Sequence, residues 1–149
     1  GAGCYGSLVR AVWAGGYYGS ARATMDYVTM DTLGNALDFG DMNWSGSHTG
    51  GCSSEAGRGL IAGGYPSYNT NIDYVAIDTI GNGTDFGDLT QGRFEPGSTS
   101  SGTRGLFVGG YSGSQSDVID YVTIATPGNA YDFGDLETAG AGAACVAGG

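Results

Sequence analysis

The chain has 149 residues, of which 31 are glycine, and its formal net charge is −10. All five basic residues are arginines, so the chain lacks the clustered cations needed to bind nucleic-acid phosphates. No apolar stretch approaches the ~20 residues of a membrane-spanning helix, so no membrane insertion is expected. The glycines show no three-residue period and 40% of the residues are hydrophobic, which excludes collagen and argues against simple disorder. These values favour a glycine-rich all-β fold.

Internal repetition dominates the sequence. Three words recur at intervals of about 47 residues, and "GN" recurs between the last two. "GGY" begins at Gly15, Gly63 and Gly109, "DYV" at Asp26, Asp73 and Asp120, and "DFGD" at Asp38, Asp85 and Asp132. We therefore predict one domain over 1–149, with repeats at about 1–42, 43–89 and 90–136 and an extra inner strand at 137–149. Because the chain begins with Gly1 rather than Met, we also expect a processed product or a piece of a longer protein.

Each repeat predicts four strands, illustrated here by the second repeat. An inner strand of small residues surrounds Cys52, and the apolar run Leu60–Tyr65 is typical of a strand buried on both faces. The alternating segment Ile72–Thr79 and the shorter Thr84–Leu89 predict a hairpin, because "GN" between them tolerates the positive φ of a tight turn. Cys4, Cys52 and Ser98 each lie six residues before a repeat arginine, so we expect them at equivalent inner positions.

The order of these elements resembles the kelch repeat, and Arg104–Leu136 follows it closely. Phe39, Phe86 and Phe133 stand where kelch repeats usually carry Trp. In wording, "IDYVTIATPGNAYDFGDL" is similar to repeats of phage virion and tail-fibre proteins. The resemblance implies all-β, four-stranded β-propeller blades. Because propellers have ~4–8 blades, three repeats imply further blades of a longer chain or self-association. A β-trefoil is the alternative, although it has no use for a trailing inner strand.

Aspartates are the main candidates for polar chemistry. The "DFGD" words supply one pair per repeat, and carboxylates beside glycine loops could hold Ca²⁺. We favour a structural role, in which these aspartates accept hydrogen bonds from turn N–H groups and pair with the repeat arginines. The weak calcium candidates are Asp38, Asp41, Asp85, Asp88, Asp132 and Asp135. No cofactor is expected.

The repeat arginines and the cysteines are assigned structural roles. Arg10, Arg58 and Arg104 occur once per repeat, and a planar guanidinium can tie carbonyls or carboxylates of a neighbouring blade. The cysteines, Cys4, Cys52 and Cys145, are expected as small buried side chains. The alternative for them is a Cys4–Cys145 or intermolecular disulfide.

Function is expected to be non-enzymatic. His48 is the only histidine, so no His-based triad or multi-His metal site can be assembled within one chain. We expect a structural or adhesive module of a virion fibre or other extracellular assembly, binding through variable loops. The alternative is a carbohydrate-binding lectin for surface glycans, and a third possibility is a fragment of a propeller enzyme. The candidate ligand-binding residues are Tyr18, Trp44, Tyr68, Asn69, Asn71 and Gln115.

Overall fold

The computed structural model describes residues 1–143 and contains three four-stranded antiparallel sheets, which confirms the all-β prediction. No helix long and apolar enough to cross a membrane occurs in this part of the chain. Sheet one, called unit 1, contains β1 (Gly3–Gly6), β2 (Arg10–Ala14), β3 (Arg22–Thr29) and β4 (Leu37–Gly46). Unit 2 contains β5 (Gly50–Ser53), β6 (Arg58–Ala62), β7 (Asn71–Ala76) and β8 (Thr84–Asp88). Unit 3 contains β9 (Gly97–Ser100), β10 (Arg104–Val108), β11 (Val118–Thr123) and β12 (Tyr131–Asp135).

Within each unit the strands pair in chain order, so every sheet is a simple meander. The hairpin expected from Ile72–Thr79 and Thr84–Leu89 is present as β7 and β8. A bulge interrupts the pairing of the last two strands of every unit, for example between Ile72 and Asp73. Ile72 and Asp73 point to opposite faces of the sheet, and both are buried because unit 2 has a neighbouring unit on each face.

The glycines of "GGY" and "DFGD" are required by backbone geometry. Gly63 has a φ of 69°, and a Cβ there would lie 2.6 Å from the carbonyl oxygen of Arg93. Gly87 has a φ of 142°, and its Cβ would lie 2.5 Å from the carbonyl of Gly128 in the next unit. L-residues rarely adopt these φ values, and no side chain has room at either position. The repeated words therefore mark close backbone contacts.

The core consists of two layers between consecutive units. We call the side of a unit that faces the following unit its forward face, and the side that faces the preceding unit its rear face. In each layer, the forward face of one unit packs against the rear face of the next unit. The first layer combines Tyr5, Val12, Ala14, Met25, Phe39 and Met42 with Ile61, Val75 and Ile77 of unit 2. The second combines Cys52, Leu60, Ala62, Ile72, Phe86 and Leu89 with Phe107, Val122, Ile124 and Ala130 of unit 3. Unit 2 alone of the three described units is covered on both faces.

The inner strands β1, β5 and β9 lie side by side and are joined by serine hydroxyls. Ser53 Oγ donates to the carbonyl oxygen of Gly6 at 2.7 Å, and Ser98 Oγ donates to that of Gly51, also at 2.7 Å. The Gly51 N–H donates back to Ser98 Oγ at 2.9 Å. Small hydroxyl residues therefore suit this position because their side chains bond directly to the neighbouring backbone.

The expected equivalence is confirmed for Cys4 and Ser98, which pair with the equivalent residues Trp13 and Phe107, and is wrong for Cys52. Cys4 pairs with Trp13 in β2, whereas Cys52 pairs with Leu60 in β6. The equivalent of Leu60 in β2 is Val12, which precedes Trp13 by one residue. The loop from β5 to β6 is one residue longer than its counterparts, so counting back from the arginine shifts the register. Because side chains alternate along a strand, Cys52 is buried while Cys4 is exposed, against the expectation of a buried thiol.

The extra inner strand predicted at 137–149 falls partly outside the described residues. Residues 137–143 form no strand. Cys145 and the rest of the predicted strand, 144–149, lie outside the described part of the chain.

Candidate functional site

An aromatic cluster lies where the loops after "GGY" in units 2 and 3 meet the segments that connect the units. We call it the rim patch, and its residues are His48, Tyr65, Tyr68, Phe94, Glu95 and Tyr111. Phe94 is at its centre. The ring centroids of Tyr111, Tyr68, Tyr65 and His48 lie 5.2, 5.6, 5.9 and 6.3 Å from that of Phe94. The Tyr68 ring stacks almost parallel to Phe94, at 12°.

The backbone holds these rings in place. Phe94 and Tyr111 exchange two backbone hydrogen bonds, at 3.1 and 2.8 Å, and Ser47 and Tyr65 exchange an equivalent pair at 3.2 and 2.8 Å. Tyr68 has a φ of 47°, a left-handed conformation that costs free energy in a non-glycine residue. The patch is therefore built from pinned main chain rather than from free loop tips.

Polar groups surround the aromatic surface. His48 Nε2 lies 3.7 Å from Glu95 Oε1, and both side chains are more than one-third exposed. Ser47 Oγ lies 3.1 Å from His48 Nδ1. Within residues 1–143, the hydroxyls of the three patch tyrosines have no hydrogen-bond partner. A flat ligand with its own hydroxyls could therefore stack on the rings and bond to the rim.

The left-handed conformations of His48 and Glu95 have a structural origin. The His48 N–H donates to the carbonyl of Gly1, Glu95 to that of His48, and Gly142 to that of Glu95, at 2.5, 2.7 and 3.0 Å. The φ values of the three donors are 57°, 55° and 69°, and the residues are spaced by one repeat. This backbone line forms wherever a unit begins, so the strain at these two residues belongs to the architecture and is not a functional signal.

The ligand-binding candidates from the sequence occupy different surroundings. Tyr68 belongs to the rim patch. Tyr18 is 83% exposed on unit 1, with the Arg22 guanidinium 5.8 Å from its ring centroid. Trp44 packs against the first core layer, and its buried Nε1 has no hydrogen-bond partner within the described chain.

The remaining candidates, Asn69, Asn71 and Gln115, lie in or beside the loops that carry the patch. Asn69 Oδ1 accepts a hydrogen bond from the Asn71 N–H at 2.9 Å, so it stabilises the turn that follows Tyr68. Asn71 begins β7. Gln115 is exposed and forms an isolated backbone bridge with Tyr111 of the patch.

Three of the "DFGD" aspartates accept hydrogen bonds from groups of their own unit in the described structure. Asp38 and Asp132 accept hydrogen bonds from the N–H groups of Gly40 and Gly134, at 3.2 and 2.9 Å. Asp88 accepts one from Thr70 Oγ1 at 2.8 Å. Residues 1–143 contain no group of three or more His, Cys, Asp or Glu side chains placed to share a metal ion.

Two of the repeat arginines, Arg10 and Arg58, donate to carbonyls of the next unit rather than to the "DFGD" aspartates. Arg10 Nη1 donates to the carbonyl of Ile77 at 3.0 Å. Arg58 Nη1 donates to those of Ile124 and Ala125 at 2.8 and 2.9 Å. The expected pairing of these arginines with "DFGD" carboxylates is therefore wrong. Each guanidinium, that of Arg104 included, also lies 4.5–4.8 Å from the ring centroid of the tyrosine in "DYV" of its own unit.

Sequence reasoning missed the buried aspartates of "DYV". Asp73 accepts hydrogen bonds from the backbone and side chain of Asn43, at 2.7 and 2.9 Å. Asp120 accepts from Thr90 and forms an ion pair with Arg93, and both members of the pair are fully buried. Burial raises the pKa of Asp73, opposed by the Asn43 hydrogen bonds, and burial lowers the pKa of Arg93, opposed by Asp120. A signal was available, because an aspartate repeated within an apolar strand is unusual.

A groove of about 340 Å³ runs beside the inner strands. Its lining includes Cys4, Tyr5, Cys52, Ser98 and Ser100. Burial raises the pKa of the Cys52 thiol to about 12, so this group remains protonated and unreactive at neutral pH. Small residues and backbone dominate the groove, and we assign it no ligand.

The comparisons with known proteins give no further guidance. No protein-family model matches this sequence, and a search of curated proteins finds no match.

Proposed function

We propose that the chain is a non-enzymatic structural and adhesive module, whose units are β-propeller blades and whose rim patch binds the partner. The blade assignment is supported by three meander sheets that pack face to face, with their first strands side by side. The resemblance to phage virion repeats supports a place in a virion fibre or another extracellular assembly.

The rim patch is the observation that carries the adhesive role. Exposed clusters of aromatic rings are uncommon on monomeric surfaces and typical of binding sites, because rigid rings supply contact area at low entropic cost. Here four rings surround Phe94 or extend from it, and backbone bonds fix them before any partner arrives. A preformed surface of this kind loses little conformational entropy on binding.

Binding to cell surfaces tests this proposal. Labelled chain is applied to a panel of bacterial cell envelopes, alongside a Tyr68→Ala and Tyr111→Ala double variant. The matched control is Tyr18→Ala, which removes an exposed loop tyrosine outside the patch. We expect binding by wild type and the control and at least a tenfold loss in the double variant. Equal binding by all three, or no binding to any envelope, contradicts the proposal.

A lectin is the second candidate, favoured by the unpartnered tyrosine hydroxyls beside stacked rings. Sugar rings present apolar faces and hydroxyl edges, which match this combination of aromatic faces and polar rim. The net charge of −10 disfavours acidic glycans and favours neutral ones. A glycan array with the same variants separates the candidates, since a module that binds only protein gives no hits.

A further inference from the structure

We infer that the forward face of unit 3 and the rear face of unit 1 bind each other between two copies of this chain. Within one described chain, a forward face packs against a rear face twice, between units 1 and 2 and between units 2 and 3. The forward face of unit 3 and the rear face of unit 1 have no such neighbour in the described structure. The internal interfaces therefore show that a rear face covers a forward face, and unit 1 of a second copy supplies the rear face that covers unit 3.

Apolar side chains on the two faces are exposed only for lack of this partner. Phe133 on unit 3 is 52% exposed, whereas its equivalents Phe39 and Phe86 are 2% and 3% exposed. On unit 1, Trp13 is 42% exposed, and its equivalents Ile61 and Phe107 are at most 2% exposed. Met30 is 61% exposed, whereas the equivalent Ile77 and Ile124 are fully or almost fully buried.

A backbone clamp also repeats at both internal interfaces and is open at the ends. The Asp41 N–H donates to Asn82 Oδ1 at 3.0 Å, and Gly81 and Gly83 donate to carbonyls of β4 at 2.8 Å. Asn129 and its neighbours hold β8 in the same way, with the Asp88 N–H donating at 3.1 Å. The corresponding groups are Asn35 on unit 1 and Asp135 on unit 3, which the second copy brings together.

Two further positions affect the strength of the contact between copies, one favourably and one unfavourably. Arg104 lacks the next-unit carbonyl that Arg10 and Arg58 reach, and Met30 of the second copy presents one at the equivalent place. Asp26, the exposed counterpart of Asp73 and Asp120, would meet Glu137 where the internal interfaces supply Asn43 and Thr90 as donors. Two facing carboxylates weaken the contact, so the association is expected to be reversible.

One segment has to move aside for the contact. Gly142 donates to the Glu95 carbonyl, and Gly1 is its equivalent at the start of unit 1. Gly1 and Ala2 of the second copy therefore compete with Gly142 and Ala143 for the same position, and one of the two pairs is displaced.

Two such contacts, one at each end, join two copies into a closed ring of six units. Contacts between different faces close into rings only when the rotation between copies allows it. Six blades lie within the range of ~4–8 that propellers use. A concentration-dependent open chain would retain the contact and change only the closure.

The test measures association of the full chain by sedimentation equilibrium. Phe133→Asp and Trp13→Asp each place a carboxylate in one face, and we expect each to weaken association at least about 100-fold, because a buried unpaired charge is costly. Leu33→Asp is the matched control. Leu33 is exposed, and its equivalents Ile80 and Pro127 stay exposed in units that have a preceding neighbour.

Mixing the two face variants identifies the contact as head to tail. Each variant keeps the face that the other has lost, so the mixture forms a heterodimer through one intact contact, while each alone remains monomeric. A contact between two identical faces cannot be restored by mixing. Circular dichroism checks that both variants fold, and Asn35→Ala, which removes only an exposed amide, is expected to weaken association about 3–10-fold.

Glu137→Gln provides a gain of binding. Its amide can donate to Asp26 as Asn43 does to Asp73, so we expect association to tighten about tenfold. A wild-type chain that stays monomeric at the highest concentrations overturns the inference. So does an oligomer that survives both face variants, or a mixture that fails to associate.

Discussion

The two interfaces between units use equivalent positions but stabilise their buried aspartates differently. Between units 1 and 2, Asp73 accepts hydrogen bonds from the backbone and the side chain of Asn43. Between units 2 and 3, Asp120 accepts from Thr90 and also forms an ion pair with Arg93. The repeat thus fixes where an acidic group is buried, and a non-repeated residue decides whether it has a cationic partner.

The largest predicted effect concerns the ion pair. Asp120→Asn leaves the Arg93 guanidinium fully buried without its counterion, so the free energy of unfolding should fall by about 3–5 kcal/mol. Chemical denaturation measures it. The double variant Arg93→Met, Asp120→Asn should recover much of the loss, because it removes the uncompensated charge. A single variant as stable as wild type contradicts the role assigned to this pair.

Arg58→Ala should have the next largest effect. It removes hydrogen bonds to two carbonyls of unit 3 and a ring contact with Tyr74 at 4.5 Å, so the expected loss is about 1–2 kcal/mol with a lower Tm. Arg104→Ala is the control, because Arg104 keeps the tyrosine contact at 4.8 Å and, within residues 1–143, has no side-chain hydrogen bond to a following unit. An unchanged Tm for Arg58→Ala would contradict the proposed role of Arg58 in stabilising the interface between units 2 and 3.

The asparagine clamps should contribute less. Asn82→Ala and Asn129→Ala each remove the acceptor for one backbone N–H at a unit interface, with an expected cost of about 1 kcal/mol. Asn35→Ala should leave the stability of the single chain unchanged. Equal effects for all three substitutions would show that the amides act within their own loops.

The smallest predicted effect is the pH dependence of stability that Asp73 contributes. Burial raises its pKa in the folded state, so the folded chain holds this proton more tightly than the unfolded chain. The stability it contributes is fully present below the unfolded pKa and is lost as the pH rises through the folded pKa. Wild type should therefore lose Tm relative to Asp73→Asn on going from about pH 4 to 7. A difference in Tm between the two chains that does not change with pH contradicts this prediction.

The repeated words predicted three strands and a turn in each unit, because each word marks a strand or a turn that the backbone geometry requires. The small residues before each repeat arginine predicted the fourth strand. The predicted register of Cys52 was wrong because the loop before Arg58 has one additional residue, and side chains alternate along a strand. The rim patch was largely missed, since Phe94 and His48 lie in connecting segments that share no repeated word. Arg93 was missed for the same reason, as Gly46 and Gly140 occupy the equivalent positions.

Amide hydrogen exchange tests most directly whether the repeat positions form the same interface wherever they meet. Gly81, Gly83, Gly128 and Ala130 donate their N–H groups across the internal interfaces, and Gly34 and Ala36 are their equivalents on unit 1. At concentrations where copies associate, exchange at Gly34 and Ala36 should slow toward that of the internal amides, and dilution should reverse it. Fast exchange at both residues in an associated sample, or at every concentration, would contradict the shared interface.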